Sequence, residues 1–138
     1  MSRFPILVIS AAPAMAAWLS EHLPADEYEV SDARPDASLI QAVRQARPRM
    51  AILDGIDGRP ASAQLEVALL KDQCPGVLIV ARSETSSLCD GDVIEQGIFC
   101  YLAGSSAVEL LRVIEAATTD RRRADGNAVM HNQPRSVT

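Results

Sequence analysis

The chain has 138 residues, 48% of them hydrophobic, which is enough for one compact domain with an apolar core. Its 18 acidic and 13 basic residues give a net charge of −5, which disfavours a nucleic-acid binder because neutralising phosphates requires a basic face. No apolar run approaches the ~20 residues of a membrane span. Three cysteines without metal-ligand spacing are typical of reduced thiols, and we expect a cytoplasmic protein.

The first half of the chain alternates predicted strands and helices. "FPILVIS" (4–10) is typical of a strand buried on both faces, and a helical stripe follows it. "YEVSDA" (28–33) alternates like an edge strand and precedes a second stripe that Pro48 ends. "MAILD" (50–54) is a buried strand ending on a carboxylate. A loop, "GIDGRP", and a third helix marked by Leu65, Ala68 and Leu69 come next.

The second half continues this alternation. "GVLIVA" (76–81) is the most apolar predicted strand and should be central, and Val93 and Ile94 indicate a short fourth helix. "IFCYL" (98–102) predicts the fifth strand, and a capping-box pattern at Ser106 begins the last helix. We expect one domain over residues 1–120 and a disordered tail over 121–138, where no apolar period occurs.

Five strands alternating with five helices predict a parallel sheet covered on both faces, because each parallel connection needs a helical crossover. The fold class is therefore a three-layer α/β sandwich. In such sheets the functional crevice lies at the carboxyl ends of the strands. The residues predicted there are Ser10, Ala11, Asp54, Val80, Ala81, Ala103 and Gly104.

The order and spacing of these elements over residues 4–119 resemble the receiver domain of two-component response regulators. Two segments carry the resemblance most clearly, "PRMAILDGIDG" (48–58) and "GIFCYLAGSSAVELLRVIEAA" (97–117). The resemblance implies a flavodoxin-like (βα)5 fold with strand order 2-1-3-4-5. It also implies a non-enzymatic role in phosphorelay signal transduction.

The resemblance places several functional positions of the family on residues of this chain. Asp54 falls on the phosphoacceptor and Tyr101 on the switch aromatic. The acidic pair that holds Mg²⁺ falls on Ser10 and Ala11, the switch hydroxyl on Val80 followed by Ala81, and the lysine on Gly104. Asp54, Tyr101 and the small residue Ala81 retain the family's residue types, whereas the acidic pair, the hydroxyl and the lysine are lost, so we expect a degenerate pocket.

The losses of the lysine and of the acidic pair do not depend on the alignment in detail, whereas another register could supply the hydroxyl from Ser83. Lys71, the one lysine, lies on a predicted helix, and no Asp or Glu precedes Glu21. Phosphoryl transfer to a carboxylate depends on positioning and charge neutralisation, and Mg²⁺ prefers carboxylate oxygens. We therefore expect weak or absent Mg²⁺ binding, no other cofactor and no catalytic residue.

The sequence then favours an atypical receiver that acts by protein contact, with a histidine kinase, a downstream effector or a second copy. The resemblance implies a partner face around Val93, Ile94, Phe99 and Val108.

Two alternatives remain open for function. One is a receiver phosphorylated at Asp54 by a histidine kinase with help from Ser83. The other is a small-ligand binding module. Asp54 itself could also be a weak cation ligand with Asp57, or a carboxylate that caps backbone amides of its turn.

Overall fold

A computed structural model of the protein describes residues 3–58, 60–83, 100–103 and 107–130. The elements in these residues are β1 (Phe4–Ile9), α1 (Ala14–His22), β2 (Tyr28–Ala33), α2 (Leu39–Ala46), β3 (Met50–Asp54), a 3-10 turn (Ile56–Gly58), α3 (Pro60–Gln73), β4 (Leu78–Ser83), β5 (Cys100–Ala103) and α4 (Ala107–Met130). The predicted helix around Val93 and Ile94 lies outside the described residues, so α4 corresponds to the last predicted helix. The chain forms two compact units, Met1–Ser105 and Ser106–Thr138.

The five strands form one parallel sheet in the order β2-β1-β3-β4-β5, which confirms the predicted flavodoxin-like α/β topology. Val8 of β1 pairs with Ile52 of β3, and Ile52 pairs with Val80 of β4. Because the strands are parallel, the carboxyl ends of β1, β3 and β4 meet at one edge of the sheet. Asp54 and Arg82 are direct register partners at that edge.

The order of the strands places helices on both faces of the sheet. The chain passes from β1 to β2 in one direction and from β2 through β3 to β4 in the other, and such crossovers are right-handed. The helices α2 and α3 therefore cover one face, and α1 lies on the opposite face. Leu53 and Ile79 pack in one buried cluster with Val43 of α2 and Leu70 of α3. The strands β1 and β3 are buried along nearly their whole length, as their continuous apolar runs predict.

The helix α3 forms where it is predicted, but two of the residues that mark it in the sequence do not face the core. Leu65 and Ala68 are exposed, whereas Ala63, Val67 and Leu70 are fully buried. Apolar residues fall on more than one face of this helix, so spacing alone does not identify the side that meets the sheet. The helix that Leu65, Ala68 and Leu69 predict is therefore confirmed, and Leu65 is a large apolar side chain in solvent.

The helix α4 buries one stripe, with Leu110, Ile114 and Ala117 spaced at four and three residues. It continues to Met130, so helical backbone extends past residue 120, where a disordered tail is predicted to begin. Residues 131–138 lie outside the described residues. Among the described residues, no helix combines the length and apolar character needed to cross a membrane.

Candidate functional site

The carboxyl edge of the sheet gathers Ser10, Asp54 and Arg82. β3 ends on Asp54, and Gly55 follows it with a φ of +70°, a conformation that a residue with a Cβ rarely adopts. The Gly55 amide donates a hydrogen bond to the carbonyl oxygen of Arg82 at 2.8 Å. This turn keeps Asp54 beside β4, which runs to Ser83 rather than ending at Ala81 as predicted.

An ion pair joins Asp54 to Arg82. The guanidinium Nη1 donates to Asp54 Oδ1 at 2.7 Å, and the two side chains are 13% and 15% exposed for Asp54 and Arg82. The geometry follows from the register, since paired residues on neighbouring strands project their side chains to the same face. A short hydrogen bond between two ionised groups in a mostly buried position is among the stronger polar contacts in proteins.

Ser10 contacts the second oxygen of the same carboxylate. Its Oγ donates to Asp54 Oδ2 at 3.5 Å and accepts a hydrogen bond from the Ala12 amide at 3.4 Å. The Ser10 amide donates to the carbonyl oxygen of Ala33 at 3.1 Å, which fixes the end of β1 against the end of β2. Asp54 therefore has Arg82 at one oxygen and Ser10 at the other, while the neighbouring Ala11 is exposed and brings no side-chain ligand.

A second arginine holds the backbone at the same edge. Arg34 Nη1 donates to the Ser10 carbonyl at 3.1 Å, and its guanidinium binds both carboxylate oxygens of Asp32 at 2.9 and 2.8 Å. The hydrogen bond to Asp32 raises the pKa of Arg34, against a smaller opposing effect of burial. Arg34 thus remains a cation that ties β1 to β2 beside the carboxylate.

Among the other predicted site residues, some have described side chains and others lie outside the described part of the structure. Val80 and Ala81 are fully buried inside β4, and Ser83 is fully buried one residue beyond Arg82. Tyr101 is the backbone register partner of Ala81, but its side chain lies outside the described part of the structure, as does that of Asp57. Gly104, Phe99 and the pair Val93 and Ile94 also lie outside the described residues, and Val108 at the start of α4 is 52% exposed.

Arg82 is the site residue that the sequence predictions missed. They end the fourth strand at Ala81 because Arg82 and Ser83 look like the start of a polar loop. The sequence did contain a signal for this pair. One predicted strand ends on Asp54, and the basic residue Arg82 directly follows the next predicted strand. Because neighbouring parallel strands end at the same edge of a sheet, these two residues are expected to lie side by side.

Among the described residues, the side chains of Asp54 and Ser10 place one carboxylate and one hydroxyl together at this edge. Mg²⁺ needs an octahedral shell of oxygen ligands and draws on carboxylates, so these two side chains alone do not complete such a shell. The guanidinium 2.7 Å from Asp54 Oδ1 repels any second cation at that oxygen. Within the described residues, His, Cys, Asp and Glu side chains form no cluster of three or more that would hold a metal ion.

The structure is similar to solved receiver domains. A response regulator from Thermotoga maritima is 14% identical, with 83% of this chain and 97% of that chain covered and a TM-score of 0.67. The beryllofluoride-activated NtrC receiver domain is 17% identical, with 87% and 98% covered and a TM-score of 0.68. The receiver domain of a Pseudomonas aeruginosa sensor histidine kinase, which coordinates magnesium in its active-site cleft, is 20% identical, with 83% and 97% covered and a TM-score of 0.61.

No protein-family model and no curated protein matches the sequence. The structural similarities therefore show that the chain has the receiver fold.

Proposed function

We propose that this chain is a receiver domain of two-component-type signalling that acts by protein contact, without phosphorylation at Asp54. The ion pair between Asp54 and Arg82 carries the proposal, because it gives the carboxylate a cation from the chain itself. The neutral Ser10 and Ala11 support it, since they stand where the resemblance implies the acidic pair of the metal site.

The chemistry of acyl phosphate formation explains why this pairing matters. A carboxylate oxygen must attack phosphorus with a free lone pair while cations neutralise the incoming phosphoryl group. Here Oδ1 accepts a strong hydrogen bond from Arg82, and Oδ2 accepts a long one from Ser10. An attack would have to break the contact with Arg82 or proceed without a metal ion. Both requirements raise the barrier.

The competing function is a receiver that is phosphorylated at Asp54 with Arg82 supplying the positive charge. A guanidinium binds phosphate oxygens well, so Arg82 would stabilise the product if it turned from the carboxylate to the phosphoryl group. The two functions differ in whether Asp54 acquires phosphate when donor and Mg²⁺ are both present.

Incubation with radiolabelled acetyl phosphate and Mg²⁺ separates them. We expect no incorporation into the wild-type protein above that of an Asp54→Asn variant. An acid-stable, base-labile label that the wild type acquires and Asp54→Asn lacks would overturn the proposal.

A reconstruction of the metal site provides the positive control. The variant Ser10→Asp/Ala11→Asp should bind Mg²⁺ weakly while Arg82 holds Asp54, and more tightly once Arg82→Ala is added. Amide shifts of Gly55 and Ala81 on titration with Mg²⁺ and beryllofluoride measure this. Equal Mg²⁺ affinity with and without Arg82 would show that the guanidinium does not occupy the site.

A flat thermal-stability profile against a panel of small anions and apolar ligands is expected as well, because the proposal assigns no small ligand to this edge. A saturable stabilisation that Asp54→Asn or Arg82→Ala removes would favour the small-ligand module instead.

A further inference from the structure

The surface between α2 and α3 contains a groove. At the amino-terminal ends of the two helices it is a cavity of about 270 Å³, lined by Asp36, Leu39, Ser62, Leu65, Glu66 and Leu69. At their carboxyl-terminal ends it is a cavity of about 510 Å³, lined by Val43, Arg44, Arg47, Pro48, Gln73 and Cys74. We refer to the two together as the α2–α3 groove.

The two cavities lie along one line. Leu39 and Val43 are four residues apart on α2, and Leu69 and Gln73 are four residues apart on α3, so each pair shares a helix face one turn apart. The groove therefore follows both helices. Its length from Ser62 to Gln73 corresponds to about 16 Å at 1.5 Å per residue, which is three turns of a helix.

Apolar side chains line the amino-terminal part of the groove. Leu39 is buried at its floor, Leu69 is half-buried on its wall, and Leu65 is 73% exposed at its rim. Covering a leucine this exposed with an apolar side chain of a partner would remove apolar surface from water, which favours binding. It is also one of the three residues that mark α3 in the sequence.

The charges at the two ends of the groove are opposite. Asp36 and Glu66 are at the amino-terminal end, and Glu66 is only 3% exposed and accepts a hydrogen bond from Ser62 Oγ at 2.6 Å. Hydrogen bonds from the Ser38 hydroxyl and amide lower the pKa of Asp36, so it stays ionised at neutral pH.

Arg44 and Arg47 are at the other end. The lining residues include no Lys or Arg at the first end and no Asp or Glu at the second.

We propose that the α2–α3 groove binds an amphipathic helix of a partner protein, with its basic end at Asp36 and its acidic end at Arg44 and Arg47. Its apolar face would cover Leu65 and Leu69, with residues at i, i+4 and i+7, over about three turns. Charge complementarity fixes the direction of the helix, and the apolar contacts supply the affinity. The inference rests on the proposed function in that it names a surface for the contact which that function requires.

Selection from a library of random 15-residue peptides tests the groove without assuming a partner. Rounds of binding to the wild-type protein alternate with removal of peptides that also bind Leu65→Asp. We expect the enriched peptides to carry apolar residues at helical spacing, with Lys or Arg at one end and Asp or Glu at the other. No enrichment, or enrichment of peptides without this polarity, would overturn the proposal.

A single enriched peptide then gives the quantitative test by calorimetry. Leu65→Asp should weaken it about tenfold or more, the size of effect seen at interface hot spots. The matched control is Gln64→Asp, an exposed neighbour on the same helix that does not line the groove and should bind like the wild type. A peptide with its charged ends exchanged should bind more weakly to the wild type and regain affinity on Arg44→Glu combined with Asp36→Lys.

Two results would refute the inference separately from the proposed function. Equal binding by Leu65→Asp and Gln64→Asp would place the peptide elsewhere. Concentration-dependent dimerisation of the wild type that Leu65→Asp abolishes would show that a second copy covers the groove. Neither result involves Asp54, so the phosphorylation test stands or fails independently.

Discussion

Replacing Arg82 with methionine removes the charge and the donor at the Asp54 carboxylate while it keeps an unbranched apolar stem. In the wild type Nη1 lies 2.7 Å from Asp54 Oδ1, with both side chains about one-seventh exposed. The variant leaves a carboxylate in a mostly buried position with Ser10 Oγ at 3.5 Å as its remaining contact in this triad. The cost therefore includes the lost attraction and the poorer solvation of Asp54.

The magnitude lies between two limits. Exposed ion pairs contribute about 0–1 kcal/mol, and removing one member of a fully buried pair costs about 3–5 kcal/mol. The gross attraction of two unit charges about 4 Å apart is about 4 kcal/mol at an effective dielectric constant of about 20, and desolvation offsets part of it. For this nearly buried pair we expect Arg82→Met to lower the free energy of unfolding by about 2–3 kcal/mol.

Urea denaturation at pH 7, followed by circular dichroism and the fluorescence of the single tryptophan, Trp18, measures this loss. With an m-value of about 2 kcal/mol/M, the midpoint should fall by about 1–1.5 M. The matched control is Arg34→Met, which breaks the more exposed pair with Asp32 at the same sheet edge and should cost less. Salt should reduce the effect of Arg34→Met more than that of Arg82→Met.

A double-mutant cycle with Asp54→Asn decides whether the cost belongs to the pair. Arg82→Met should cost markedly less in the Asp54→Asn background, because the carboxylate that loses its counter-charge is gone. A loss below about 0.5 kcal/mol, or the same loss in both backgrounds, would refute the assignment of Arg82 as the counter-charge of Asp54.

Three further predictions concern local geometry. Gly55→Ala should destabilise the fold by about 1–2 kcal/mol because Gly55 has a φ of +70°. Gly58→Ala should change stability less, since a Cβ there also has open space around it and Gly58 has no positive φ. Equal urea midpoints for the two variants would contradict this. Arg47→Gly should raise the melting temperature, since Arg47 caps α2 with a φ of 45°, where glycine is favoured, and a lower melting temperature would argue against strain there. Burial raises the pKa of the Cys74 thiol above its ordinary value of 9.0, and the charge of Arg47 opposes this effect. Peptide mapping should therefore show that Cys74 is alkylated more slowly than glutathione at pH 8. Alkylation should be slower still in Arg47→Gly, which lacks the opposing charge. A Cys74 rate equal to that of glutathione would contradict the last prediction.

The strands at the centre of the sheet were predictable because their residues leave few alternatives. The continuous apolar runs of β1 and β3 exclude an exposed face, and the turn residues and prolines that flank them mark their ends. The predicted bounds of β2 and β3 agree with the structure residue by residue. Topology followed from the same pattern, since helical crossovers require parallel strands.

The errors arise where pairing outweighs local pattern. β4 includes Arg82 and Ser83 because the neighbouring β3 continues to Asp54, and a strand extends as far as its partner offers hydrogen-bonding groups. Spacing predicts α3 but does not orient it, because its leucines lie on more than one side. The end of β4 and the orientation of α3 both depend on contacts between elements, and these contacts determine the partner of Asp54 and the exposure of Leu65.

A guanidinium carried on a neighbouring strand differs from a dissociable ion because it cannot leave. Its effective concentration at Asp54 is fixed by the covalent chain, so neither chelators nor the level of free divalent ions in the cell would empty the site. Under the proposed function, information would enter through the number of copies synthesised or degraded and through competition among binding partners, so that abundance would be the control variable.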